Sequence, residues 1–386
     1  MEEELRYPDL DVEQFWKDNE VALRDNCFCK DAKQVAFGFY LEDEAVIGEL
    51  ELPINPWAAV PPAEMTEYKK RYNDKAERII GKRVLDENPM PHQKYPPVKL
   101  HGEVFGGQYV IKNDLPWLMS DLKTPEDLEK ELDRADERIR NLREFILPAN
   151  WYSEKKRIFE ETGETPDAFW YGRRVRGPVT LAMSLYGVEN TIMLMLDEPD
   201  LAHRFFDTIH RTLRGYIDIF NEEAGPEKLE KMHYGYRFND DFCCMLNAEL
   251  YEEYAFPILQ DIFDYTCPDR LVNCRFQHSD SEMAHLLPIL GKLNFTQVNF
   301  GPTVLLDQIR KYMPDTCVEG CLSPMTLLTN DEEKIIAEVR RDCEMAKALG
   351  TRGLKVATAG SVNCGTKLTS LRAVMYGIQK YGRFDD

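Results

Sequence analysis

The chain has 386 residues, 43% of them hydrophobic, which is enough to bury a sizeable core in one elaborated domain or two smaller ones and argues against disorder. Its formal net charge of −20 is spread along the whole chain, so its field repels phosphate backbones and anionic membranes, and nucleic acid and membrane are excluded as expected partners. The stretch MEEELRYPDLDVEQFW is acidic where a secretory signal is basic and then apolar, and no run is apolar for the length a membrane helix needs, which predicts a soluble cytoplasmic protein.

In chain order, residues 1–100 read as an N-terminal elaboration. A short helical start is followed by the alternating runs QVAFGFYLE and AVIGELELP, a proline-rich stretch from Pro53 to Pro62, and a second proline cluster from Asn88 to Leu100. From residue 101 to 386 the pattern becomes rhythmic, beginning with an apolar run around Tyr109, Val110 and Ile111. Strands are expected at AFWYG (168–172), KMHYGY (231–236), RLVNCRF (270–276), FTQVNF (295–300), DTCVEG (315–320) and GLKVAT (353–358), alternating with long amphipathic stretches. Before the last strand, Asn330 with Glu333 reads as a capping box. Ile335, Ile336, Val339 and Ala346 recur on one helical face, and Gly350 supplies the stop. Such alternation predicts an α/β fold with a parallel sheet, either a (β/α)8 TIM barrel or a doubly wound sheet, and no G-x-G-x-x-G opens a helix to favour the second.

In a barrel the chemistry sits just beyond the C-terminal ends of strands. Asp240 and Asp241 follow one expected strand, where they would hold a substrate or a metal or act as a general acid, or else one caps the next helix and the other is solvated. After another come His278 and Asp280, two residues apart, as ligands of one centre or as ligand and orienting partner. Cys321 and Cys364 follow the last two strands, so His278, Asp280, Cys321 and Cys364 form a candidate zinc set without a local zinc motif. The ten cysteines otherwise read as reduced thiols: Cys27 and Cys29 and the adjacent Cys243 and Cys244 lack zinc-ribbon spacing, and Cys317 reads as core. Phe169, Tyr171, Tyr236, Asn299 and Phe300 lie near strand ends as substrate-binding candidates, with ordinary core packing as the alternative for the aromatic ones. Arg173, Arg174 and Arg176 either meet a substrate carboxylate or bridge the chain's own acids, and His203 and His210 read as structural.

RGPVTLAMSLYG followed by LMLDEPDLAHRFFDTI resembles the G-P-x-T-L-A segment and following helix of the uroporphyrinogen decarboxylase superfamily. The Asp240–Asp241 region, the His278 cluster, the GCLSP turn and TAGSVNCGTKLTSLRAV fall in that family's order, so the resemblance spans about residues 95 to 380 and implies a TIM barrel. The decarboxylases' arginine-rich N-terminal motif does not occur before Tyr109. Their catalytic tyrosine falls at Ser184, and their late histidine falls near Gly360.

The corrinoid-dependent members, of the methylcobalamin:coenzyme M methyltransferase type, are a closer match. They bind zinc through a His-x-Cys pair and a late cysteine. His278 matches the histidine, Asp280 stands at the first cysteine, and the late cysteine falls nearest Gly360, with Cys364 four residues on. The resemblance therefore implies a methyltransferase moving a methyl group between a small donor, such as a phenyl methyl ether, and the cobalt of a corrinoid protein, with zinc as Lewis acid. A homo-oligomer is a further partner candidate. The alternative is a metal-free decarboxylase of a carboxylated substrate.

Overall fold

The computed structural model describes residues 6–58, 60–87, 97–112, 115–162, 169–231 and 235–384. Its strands are β1 (Ala36–Phe37), β2 (Gln108–Lys112), β3 (Leu115–Met119), β4 (Arg174–Arg176), β5 (Tyr236–Asn239), β6 (Arg275–Ser279), β7 (Gln297–Phe300), β8 (Cys317–Leu322) and β9 (Leu354–Thr358). The chain divides into two compact units. One comprises 1–90, 278–287 and 296–386, and the other 91–277 and 288–295, so that β6 begins in the second and ends in the first.

In the first unit β7, β8 and β9 pair in parallel, β1 pairs in parallel with β9 (Ala36 opposite Lys355), and Gly301 N–H donates to Ser279 O at the end of β6. The two faces of these strands differ in chemistry. Val298, Phe300, Val318 and Val356 are fully buried, whereas Gln297, Glu319 and Lys355 make a polar ladder in which Glu319 accepts from Gln297 Nε2 at 2.6 Å and from Lys355 at 2.5 Å. The helix Glu332–Ala348 begins at the N-cap Asp331, whose carboxylate accepts from Lys334 N–H, rather than at Asn330 as the sequence suggests. It buries Ile335, Val339 and Ala346 and packs on Leu368–Tyr381; Gly350, at φ +57°, ends it. The run at 45–53, expected to alternate as a strand, is instead mostly the helix Asp43–Glu49, with Asp43 and Glu44 in its first turn. Ala45, Val46 and Ile47 are consecutive and all buried, a short apolar run from which period alone does not separate strand from helix.

In the second unit β4 and β5 are parallel neighbours, and Tyr236 N–H reaches Cys274 O at the start of β6. The helix Pro199–Ala224 is this unit's spine. Pro199 fits its first turn, where no intrahelical N–H is needed, and Ala202, Phe205, Ile209, Leu213, Tyr216 and Phe220 form one buried stripe against Pro125–Arg140 and Val188–Asp197. Three expected strands are displaced. Residues 169–172 form a 3₁₀ turn and the strand follows at β4. The runs at 231–236 and 270–276 yield strands starting at Tyr236 and Arg275, with 168 and 232–234 outside the described residues. Each real strand carries polar residues within it (Arg174 and Arg176, Arg237 and Asn239, and in β6 Gln277 and His278 on opposite faces), which hides it from a search for apolar runs.

Among the described residues no single helix is long and apolar enough to cross a membrane.

Candidate active site

The first unit gathers polar groups at the C-terminal ends of β6, β7 and β9, and Asn299 organises them. Asn299 is 4% exposed, and its Nδ2 donates to Glu319 O at 2.8 Å and Thr358 O at 3.1 Å. Two carbonyls on that side fix the amide orientation and leave Oδ1 as the acceptor. Oδ1 lies 2.9 Å from Gly360 N and 2.7 Å from His278 Nδ1. His278 must therefore carry its proton on Nδ1, so its Nε2 keeps a lone pair. That nitrogen faces the half-exposed Asp280 carboxylate, with Oδ1 at 3.6 Å, beyond hydrogen-bond distance. Gly360, at φ +75°, supplies the turn that brings its N–H to Asn299, and a Cβ there would sit 3.8 Å from His278 Cε1.

Beyond Gly360, Ser361 Oγ donates to Glu44 Oε1 at 2.8 Å. Glu44 is 3% exposed, and burial pushes its carboxyl pKa up. The sequence carries no local sign of Glu44 as a site residue, because it sits in the first turn of a helix more than 300 residues from its partner.

The four expected zinc ligands do not converge. His278 Nε2 and the Asp280 carboxylate are two donors of suitable chemistry. Cys321 lies inside β8 rather than beyond it and is fully buried. Burial first, and the nearby Asp342 carboxylate second, raise its thiol pKa far above the ordinary range, and Arg341 and Arg310 from the covering helices are its other neighbours. Cys364 stands by Glu44, Lys367 and Gly48. Among the described residues no three His, Cys, Asp or Glu side chains gather as a metal site. The residues do not fit zinc as a closed or three-ligand centre, and no chemical step is derived through it.

The remaining candidates fall out as follows. Asp240, in the second unit, is fully buried and accepts from Thr180 N at 2.8 Å and Thr180 Oγ1 at 2.7 Å, so it caps the helix Pro178–Tyr186 from a neighbouring strand end. Burial pushes its pKa up to about 7, and a Cβ at Gly177 would meet its Cγ at 2.1 Å, so glycine is required there. Asp241 opens the turn Asp241–Met245. Tyr236 packs against Phe238 and Phe263 at 1% exposure, Phe300 is fully buried, and Tyr171 packs 5.3 Å from Phe220. Tyr236 and Phe300 are core rather than substrate contacts and Tyr171 is partly buried against Phe220, whereas Asn299 belongs to the site as the residue that holds His278. The Phe169 side chain lies outside the described residues. On the long helix, His203 Nε2 lies 2.9 Å from Glu253 Oε1 and His210 Nε2 lies 2.7 Å from Asp261 Oδ2, hydrogen bonds that suit structural histidines.

A parallel β/α succession with its polar groups at strand C-terminal ends defines a protein of the α/β class. The family model for uroporphyrinogen decarboxylase matches residues 164–381, more than half of the chain, and the chain belongs to that family and has its TIM-barrel fold. Among solved structures it is similar to a methyltransferase from Methanosarcina mazei, at 16% identity and a TM-score of 0.54, over 91% of this chain and 94% of that one. No curated protein matches it.

Proposed function

We propose that this chain is a methyltransferase that moves a methyl group from a small oxygen-linked donor to the cobalt of a corrinoid protein. The observation that carries the reading is His278, with Nδ1–H held by Asn299 and Nε2 directed at Asp280. Family membership and the fold shared with the Methanosarcina mazei methyltransferase support it. Breaking a carbon–oxygen bond leaves an alkoxide or phenoxide that needs a proton. His278, protonated on Nε2 beside Asp280, donates it as the bond breaks and returns to the neutral tautomer that Asn299 selects. The partner's reduced cobalt supplies the electron pair that takes up the methyl carbon. Asp280 holds the imidazolium, and Asn299 holds the ring. An aromatic donor has no support from Tyr236 or Phe300, which are buried in the core, so the donor class is a methyl ether or alcohol without a stated ring.

A metal-free decarboxylase is the second reading, favoured by the failure of His278, Asp280, Cys321 and Cys364 to converge, since decarboxylation needs a proton donor and no thiolate ligand. Incubating the protein with reduced corrinoid protein and a panel of methyl ethers and methanol separates the two. Growth of the methyl-cobalt absorbance, lost in His278→Ala, supports methyl transfer. No spectral change with any donor, together with CO₂ release from a carboxylated substrate, overturns it in favour of the second reading.

A further inference from the structure

In a chain with 68 acidic and 48 basic residues, arginines find carboxylates readily: Arg83, Arg143, Arg157, Arg204 and Arg211 each hold at least two. Arg174 and Arg176 on β4 do not. Among the described residues neither has a carboxylate partner, and the hydrogen bond of Arg176 goes from Nη1 to Ser184 Oγ at 3.0 Å, leaving most of its donors unused. As residues i and i+2 of one strand they project from the same face. Val175 between them is 4% exposed, and Val175 and Phe238 are register partners on the opposite, helix-covered face, where Phe238 meets Phe263 at 5.5 Å.

Arg174 and Arg176 line a cavity of about 170 Å³ together with His101, Tyr109, Leu100 and Leu181. His101 stacks on Tyr216 at 4.0 Å between ring centroids, and its Nε2 is buried with no hydrogen-bond partner. Burial pushes the His101 pKa down to about 3, so the ring is neutral at physiological pH and adds no charge beside the arginines. Two cations without an anion, side by side at a small cavity, are an arrangement a ligand completes.

We infer that Arg174 and Arg176 form a binding site for a small monocarboxylate, with the carboxylate on the guanidiniums and a short apolar stem against Leu100 and Leu181. A planar carboxylate fits the guanidinium fork, and the apolar walls give its stem a place that a fully oxygenated tetrahedral anion does not use. The inference does not depend on methyl transfer, since binding is read directly.

The test is calorimetric titration of the full chain with propionate, and separately with inorganic phosphate, for the wild type and for R174Q and R176Q. The expected result is saturable propionate binding that weakens at least about tenfold in each variant, with phosphate binding more weakly than propionate. Arg174 is exposed, so R174Q keeps the test open should R176Q fail to fold. No saturable binding to the wild type, unchanged binding in the variants, or tighter binding of phosphate would overturn the assignment.

Discussion

Replacing Asn299 by leucine removes the polar hub of the candidate site while nearly conserving volume. Its amide serves four groups: His278 Nδ1–H, Gly360 N–H, Glu319 O and Thr358 O. At about 1 kcal/mol for each lost bond the variant forfeits about 4 kcal/mol, and the added apolar burial returns about 1 kcal/mol, so the net loss is about 3 kcal/mol. Urea denaturation followed by tryptophan fluorescence measures it. The same substitution frees the His278 ring to rotate and change tautomer, so turnover falls by about 10²-fold or more even where the protein remains folded. Nitrogen-15 spectra of the imidazoles, few enough with seven histidines in the chain, report the tautomer directly. A loss of stability below about 1 kcal/mol with turnover intact would refute the reasoning, because the four hydrogen bonds would then be neither structural nor positioning.

His278→Gln is expected to lower kcat by at least about 10²-fold with little change in KM, as removal of a proton donor acting in the transition state requires; a change confined to KM contradicts that role. Asp240→Asn tests the buried cap through pH. The folded pKa of Asp240 is raised from 3.8 to about 7, so folded protein holds a proton that unfolded chain has released, and stability falls as pH rises through that window. The amide escapes this loss, and the stability of the variant relative to wild type should therefore rise by at least about 1 kcal/mol from about pH 5 to about pH 8; a flat difference refutes it. Native labelling with N-ethylmaleimide should modify the partly exposed Cys244 and Cys364 well before the fully buried Cys317 and Cys321. Early labelling of Cys321 would contradict its placement under the covering helices.

The β/α rhythm was legible where the strand sequence is dominated by buried apolar residues, as at Val318 in β8 and at Val356 in β9, and where a helix carries its own cap and stop, as at 332–348. It is displaced by a few residues at β4, β5 and β6, where Arg174, Arg176, Arg237, Asn239, Gln277 and His278 lie within the strands and break the apolar pattern. His278 and Asp280 were readable as a pair because two residues at one strand end are local. Cys321 was misjudged because its place inside β8, against Asp342 and Arg341, depends on the helices that cover the strand. Glu44 and Ser361 meet across more than 300 residues, and Asp240 is committed to Thr180 sixty residues away; contacts of that span are set by topology and leave no spacing in the sequence.

The central claim is tested most directly by following the methyl carbon. Incubation of the protein with reduced corrinoid protein and a ¹³C-methyl ether should give labelled methylcobalamin and the demethylated alcohol in equal amounts, with His278→Gln giving neither above background. Demethylated product without label on the corrinoid, or full transfer by His278→Gln, would contradict the account.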